Sequence, residues 1–470
     1  MHPIDFVIVV LSFVGMVAFG LWIKDRQTSV SGYFVGDRNL GATHIGLSIV
    51  ATDVGGGFSI GLGGLGFTMG LSGAWLLFTG LLGAWLSAVF LIPKVKPLAD
   101  RHRFLTFPDL LGHRFGPGVA ALAAVISGIA YVGFTGSQLL AGGKLAASAF
   151  GLPLHPAVWG MAGAVILYTA LGGLRAVILT DTIQWGILLV GLALVALPLG
   201  YVAVGGIEGL RQALPPAHFD PLAVTPDLLA QWAISIVPVW FVGMTLYQRL
   251  YAVRDERTAR RAWLVAGLLE WPLMAFLGVI LGMFARVMFP AVDPEMAMPK
   301  FVAQVLPTGA AGLVMAAYLA AIMSTADSCL LAAAGHLVND LYHKVVNPLC
   351  EDVHLLRLSR ETIMVLGLGS VAFALHVPGI LQSMLLAYGF MVAGLLFPTL
   401  AALYWPRATA RGALWSMLAG GGMTLLVTAK PTWFAVAEPL YLGLPAGALA
   451  LVLGSLTDRT AKGRLQPGHG

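Results

Sequence analysis

The sequence predicts an all-α polytopic membrane protein built on two inverted five-helix blocks, with one helix before them and two after. Three observations carry this reading. Apolar stretches long enough to span a bilayer recur from end to end. Of the 470 residues, 58% are hydrophobic and 10% charged, where a soluble domain carries about 25% charged residues. Two of the stretches are interrupted, within residues 48–61 and 236–249, at matching positions of two successive blocks, as in inverted-repeat transporters. The basic residues are one-sided: 22 of the 27 lysines and arginines fall in segments on one face, which sets the orientation.

Taken in order, thirteen spans are expected, at residues 4–23, 43–69, 72–95, 118–148, 154–171, 176–204, 228–250, 261–289, 309–343, 361–376, 378–404, 411–429 and 436–456. The first contains Asp5 and has no lysine or arginine before it, so it lacks the basic start of a signal peptide and reads as a retained helix. The second, SIVATDVGGGFSIG at its centre, sets three glycines and an aspartate in mid-span. The seventh contains Pro238 and Gly243. These two open the blocks 43–204 and 228–404, and 411–456 forms a closing pair. The stretch 309–343 is longer than the hydrocarbon core and is expected to emerge on the inner side. Arg175, Arg249, Arg254, Lys344 and the other inward residues outnumber Lys144, Arg211, Arg286, Lys300 and Lys430 on the outer side. The N-terminus is therefore placed outside and the C-terminus in the cytoplasm, across the cell membrane.

Several functions are excluded by the same reading. The net charge of +5 lies in loops on one face, so it does not signal nucleic-acid binding. No G-x-x-x-x-G-K-[ST] loop is present, so the chain holds no ATP-driven motor. Cys329 in a span and Cys350 in a loop make no disulfide framework. No nucleophile–base pair suggests an enzyme. A channel does not suit two broken helices, and the short tail after Thr457 holds no signalling module of a sensor.

Four acids lie within spans: Asp53, Asp181, Glu270 and Asp327. A carboxylate at a helix centre costs about 2.5–3.5 kcal/mol on insertion scales, so such groups are functional by default. Their bland alternatives are capping of the broken helix by Asp53, an interfacial pair of Asp181 with Arg175, and a buried hydrogen bond for Glu270 beside Trp271-Pro272. In AAIMSTADS, residues 320–328, positions 321, 324, 325 and 328 share one helical face. Ser324 and Thr325 could simply bond back to their own helix.

At this point the motifs resemble the sodium/solute symporters, the sodium-coupled sugar, proline, sialic acid and choline carriers of LeuT-type fold. The resemblance covers essentially the whole chain. It rests on SGYFVGDRNLG (31–41), GGLRAVILTDTIQ (172–184), YQRLYAVRDERTARRA (247–262), AAIMSTADS and ALYWPRATARGALWSMLAGGG (402–422). It implies thirteen spans with a 5+5 core and sodium-driven uptake of a small organic solute by alternating access. That solute would be an amino acid, sugar, carboxylate or amine. The chain would work as a monomer in the lipid bilayer, with sodium as the co-transported ion. A proton-coupled carrier of the same fold and a symporter-like sensor are the alternatives.

Carried onto this sequence, the resemblance places a common sodium site at the carbonyls of Ala51, Val54 and Ala321 and the hydroxyls of Ser324 and Thr325. A second cation site would use Ser324, Asp181, Asp327 and Ser328, with Asp327 standing where those family members carry serine. The extra carboxylate would strengthen that site or exchange its ion for a proton. The solute cavity would draw on Asp53, Phe58, Tyr131, Gln138, Trp240, Met244, Tyr247, Gln382 and Tyr388. Aromatic residues in spans are more often packing. Choline carriers have an aromatic at the position of Asp53, so a cage for quaternary ammonium is not evident.

Overall fold

The computed structural model describes residues 2–24, 38, 40–53, 55–377, 379–434, 436 and 438–458, with side chains left aside at 17, 19–24, 56–59, 171–177, 179–180 and 182. Phe58 and Arg175 therefore contribute backbone alone, and Val54 lies outside the described residues. The described chain is helical, with no β-strand and a single bridge between Leu40 and Val253.

Helix α1 (Pro3–Lys24) leads to the broken pair α2 (Ala42–Asp53) and α3 (Gly56–Met69), then α4 (Trp75–Leu86), α5 (Ile92–His102), α6 (Phe107–Phe115), α7 (Pro117–Phe150) and α8 (Leu154–Val190). Helices α9 (Leu197–Ala203) and α10 (Gly206–Ala213) precede a second broken series, α11 (Pro226–Ile236), α12 (Val239–Val242) and α13 (Met244–Ala252). There follow α14 (Glu256–Leu269), α15 (Phe276–Met288), α16 (Pro294–Val305), α17 (Ala310–Gly335), α18 (Asp352–His376), α19 (Ile380–Tyr404), α20 (Ala410–Ala429) and α21 (Leu440–Leu456). By length and composition, eight of the described helical stretches can cross a membrane. The bent series at Gly243, turning by 40°, makes a ninth.

Both expected breaks are present. Gly55 sits between α2 and α3 with φ +28° and ψ −173°, a conformation that disfavours any side chain. A Cβ there would also strike Thr325 Oγ1 on α17. In the second series, Gly243 donates its N–H to Val239 O at 2.7 Å and then turns extended. Three π-helical segments, Ser87–Leu91, Gly191–Ala196 and Glu270–Ala275, each hold a proline or end two residues before one: Pro93, Pro198 and Pro272. A proline has no N–H for the carbonyl four residues back, and widening to a π turn is one way a helix absorbs that.

One expectation is revised in form. Residues 154–171 and 176–204 read as two spans, yet helical bonding runs unbroken from Leu154 to Val190. Packing still requires a reversal. Val158 lies against Gly143 and Gly200 against Phe301, while Lys144 pairs with Glu295 at 2.6 Å on the same helix as Phe301. A straight helix would put Val158 and Gly200 roughly 60 Å apart, so the backbone folds back between these ends.

Helix α17 is the axis. Apart from Ser324, Thr325, Asp327 and Ser328 it is apolar and rich in small residues, and 94% of its most apolar window is buried, as expected of a central helix. It packs against α1, α7 and α8. Asp5 on α1 accepts from the N–H groups of Gly309 and Gly312, at 2.7 and 2.9 Å, and so caps its start. Its end continues as a π segment, His336–Val346. There Asp340 takes Thr106 Oγ1 at 2.7 Å and Lys344 bonds both Asp340 and Asp109, tying α17 to α6. Helices α3 and α15 cross closely enough that a Cβ at Gly66 or Gly282 would land on the other's backbone, the small-residue packing usual within membranes. Large apolar side chains stay exposed around the outside, among them Ile183, Leu194, Val365, Leu425 and Leu453, which suits a surface solvated by lipid.

Candidate functional site

The two segments singled out in the sequence meet at the first break. Helix α2 ends there, and the carbonyls of a helix's last turn have no onward donors within the helix itself. Thr325 on α17 donates across to Ala51 O at 3.4 Å and to its own Ala321 O at 3.2 Å. Ser324 donates to Ala321 O at 3.0 Å. The back-bonding within α17 is thus present, and the reach of Thr325 to Ala51 is additional to it. Ala51, Ala321, Ser324 and Thr325 are all buried. Their four oxygens converge without an acid, and of the five expected sodium ligands Val54 alone lies outside the described residues.

One turn further along α17 lies a charged cluster. Arg249 on α13 is fully buried. Its guanidinium donates to Ser48 Oγ at 3.0 Å, Asp181 Oδ2 at 3.3 Å, Ser328 Oγ at 3.2 Å, Thr245 O at 3.1 Å and Thr52 Oγ1. Ser48 donates to Asp181 at 2.6 Å. Asp327 is buried close enough to Asp181 to feel its charge, and neither of its oxygens has a side-chain partner. One guanidinium therefore faces two carboxylates. Arg249 corrects the sequence reading, which counted it only among the basic residues of the inner side, at the end of the span 228–250. Asp181 forms an ion pair with Arg249, while the side chain of Arg175, the alternative partner considered, lies outside the described ones. A charge-bias rule counts neighbours in sequence and is blind to which basic residue turns inward.

Asp53, the last residue of α2, meets Glu270, the first residue of the π segment before α15. Glu270 is fully buried and takes no donor from the described residues. Two carboxylates cannot hydrogen-bond each other unless a proton lies between them. Tyr131 accepts Thr245 N at 3.1 Å, and Tyr388 stacks on Phe134 with centroids 4.8 Å apart. Both tyrosines lie within electrostatic range of Asp53. Gln138 is buried near Met384 Sδ, and Trp240 is buried against Gly83. Met244 and Tyr247 are engaged elsewhere: Met244 Sδ accepts Phe107 N at 3.1 Å, and Tyr247 donates to Phe241 O at 2.9 Å with its ring edge-on to Phe107. Gln382 is exposed near the start of α19. The juxtaposition of Glu270 with Asp53 was not anticipated. The signal was available in Glu-Trp-Pro, where an acid precedes the residue that forces a wide turn.

A helical membrane bundle with two broken helices, buried oxygens at one break and the buried acids Asp181, Glu270 and Asp327 within it has the build of a secondary transporter. The chain belongs to the sodium:solute symporter family, whose profile matches residues 33–420. It is 31% identical over 473 residues to sodium/myo-inositol cotransporter 2 of Oryctolagus cuniculus, covering 89% of this chain and 69% of that one. It is 29% identical to the sodium/pantothenate symporter of Escherichia coli K12, covering 94% and 93%. It is 28% identical to the osmoregulated proline transporter OpuE of Bacillus subtilis, covering 96% and 93%. Among solved structures, a substrate-bound, outward-open Na+-coupled sialic acid symporter superposes with TM-score 0.79 at 20% identity, covering 98% of both chains. Mhp1, a nucleobase-cation-symport-1 family transporter, matches with TM-score 0.61 at 14% identity, covering 92% and 94%. The fold is LeuT-like. The protein is a multi-pass, sodium-coupled solute symporter and not an enzyme, with sodium as its co-transported ion.

Proposed function

We propose that this chain imports a small organic solute across the cell membrane by alternating access, with sodium held at Ala51, Val54, Ala321, Ser324 and Thr325. The observation that carries the site is the bond from Thr325 to Ala51 O, because it joins α17 to the C-terminal end of α2. Sodium is a hard cation that takes oxygen ligands, and broken helices in such carriers present them. Uptake by proteoliposomes loaded without sodium, with and without an inward sodium gradient, tests the reading. Equal uptake in both would refute it. The gradient is aided by the membrane potential, about 2.3 kcal/mol per charge per 100 mV.

In this reading the chain is monomeric, spans the membrane thirteen times and divides into repeats at 43–204 and 228–404, flanked by 4–23 and 411–456. Its N-terminus is outside and its C-terminus cytoplasmic. A tag at the N-terminus is then reached by an impermeant reagent from outside the cell, and a tag after Arg464 only after permeabilisation. Both tags reacting from one side would sink the odd-span topology.

A second cation at Asp181, Asp327 and Ser328 is supported by the charge count, since Arg249 balances one of the two acids. Transport then needs more than one sodium per solute. Asp327→Asn lowers the sodium Hill coefficient of uptake toward one. Superimposable sodium curves for the variant and the wild type would leave Asp327 a structural acid.

A further inference from the structure

The C-terminal end of α3 is tied down by a segment from the connection between α10 and α11. The last turn of α3 offers Phe67 O, a carbonyl with no onward donor inside the helix. Two donors reach it from elsewhere. Arg286 on α15 gives a guanidinium N–H at 2.8 Å and lies over the Phe67 ring, 5.4 Å from its centroid. His218, buried in the single turn Pro216–Phe219, brings Nε2 to 3.3 Å. The His218 backbone rests on Gly70, where φ is +69° and a Cβ would stand 2.3 Å from His218 O. Trp75, the first residue of α4, donates to Pro221 O at 2.7 Å. Residues 214–222 thus lie across the junction of α3 and α4.

A carbonyl only accepts, so Nε2 carries the ring hydrogen. Nδ1 is then a bare, buried nitrogen with no partner among the described residues. A neutral ring tolerates that, but a protonated ring would bury a second N–H unpaired. A helix C-terminus favours a positive charge, and Arg286 already supplies it. No acid comes to offset a second one. Helix α3, the turn Gly70–Ala74 and α4 carry no titratable side chain, and Arg286 is the one on α15. Asp220, on the segment itself, turns its carboxylate to Leu222 N at 2.8 Å on the exposed side. Burial, opposed by the bond to Phe67 O and aided by Arg286, holds the His218 pKa below the ordinary histidine value.

We propose that residues 214–222 form an acid-released strap: a proton taken up by His218 undocks the segment from α3. Protonation favours whichever state lets the ring reach water. Docking is therefore complete above the ordinary histidine value of about 6.5 and is lost as the pH falls through it. The orientation proposed above puts the strap outside the cell, where it would sense external acid. Its consequence for transport rests on the sodium seat proposed above. Release frees the far end of the helix that begins at the sodium break, so sodium is held less tightly in acid.

Amide hydrogen exchange of the purified full-length protein, taken as protection relative to the unfolded chain at the same pH, tests the strap directly. Between about pH 7.5 and about 5.5, protection across 214–222 falls threefold or more in the wild type. The loop 289–293, which has no histidine, keeps its protection. His218→Gln retains a donor for Phe67 O and cannot titrate, so its strap stays protected at both pH values. A wild-type strap as protected in acid as at neutral pH, or an equal loss in His218→Gln, overturns the proposal. The wild-type comparison decides it even if the variant does not fold. Thermal stabilisation by sodium chloride against potassium chloride reads the sodium seat separately. The half-effective sodium concentration doubles or more in acid for the wild type and not for His218→Gln. A sodium curve that ignores pH overturns the link to sodium. No sodium effect at neutral pH refutes the seat, while the exchange data still decide the strap.

Discussion

Thr325→Ala raises the sodium concentration for half-maximal uptake tenfold to a hundredfold. The side chain is fully buried, and its oxygen spans the gap between α17 and the open end of α2. A polar contact to a charged group is worth about 1.5–3 kcal/mol, and the site offers no carboxylate to compensate its loss. The fold tolerates the change, because the hydroxyl's other bond is to Ala321 O within its own helix. Ser324→Ala shifts the same curve in the same direction. Uptake measured across a sodium series gives the result directly, and an unchanged half-saturation in both variants removes sodium from this site.

The second large effect is on folding. Arg249→Met leaves Asp181 and Asp327 buried with no counter-charge. Removing one partner of a buried pair costs about 3–5 kcal/mol, chiefly because the other charge is stranded. Arg249 also joins four elements: its own α13, Ser48 and Thr52 on α2, Asp181 on α8 and Ser328 on α17. The variant therefore unfolds at a markedly lower temperature in detergent and reaches the membrane in smaller amounts. The double variant Arg249→Met/Asp181→Asn recovers part of the loss, because it removes one of the two stranded charges. If Arg249→Met alone unfolds with the wild type, the guanidinium is not the counter-ion of this cluster.

The sequence shows the breaks plainly because each has a local cause. Three glycines beside Asp53, and Pro238 with Gly243, cannot continue a helix in lipid without leaving backbone groups unpaired. The oxygens of Ser324 and Thr325 were legible for a similar reason, as hydroxyls on one face of an otherwise apolar helix. Arg249 was not, because its burial depends on four acceptors drawn from three other elements, and nothing within YQRLYAVR distinguishes it from Arg254, which is exposed. The pairing of Asp53 with Glu270 depends equally on the packing of α4 and α14 around the first break. The reversal within 154–203 shows the opposite case. The Gly-Gly-Leu-Arg stretch marks a turn in sequence, while the local hydrogen bonding stays helical.

Ser324 has one hydroxyl hydrogen, which it donates to Ala321 O, and the buried Asp181 carboxylate is close enough to interact with it. If sodium takes the proposed seat on that oxygen, it repels the hydrogen and turns it toward the carboxylate, where it stabilises negative charge in the cluster with Arg249. Ion occupancy and the state of the cluster are then linked variables. By thermodynamic reciprocity, whatever factor the cluster's occupant applies to sodium affinity, sodium applies to that occupant in turn. A single rotor would thus act as a two-way signal between the ion's seat and the arginine that ties three other helices together.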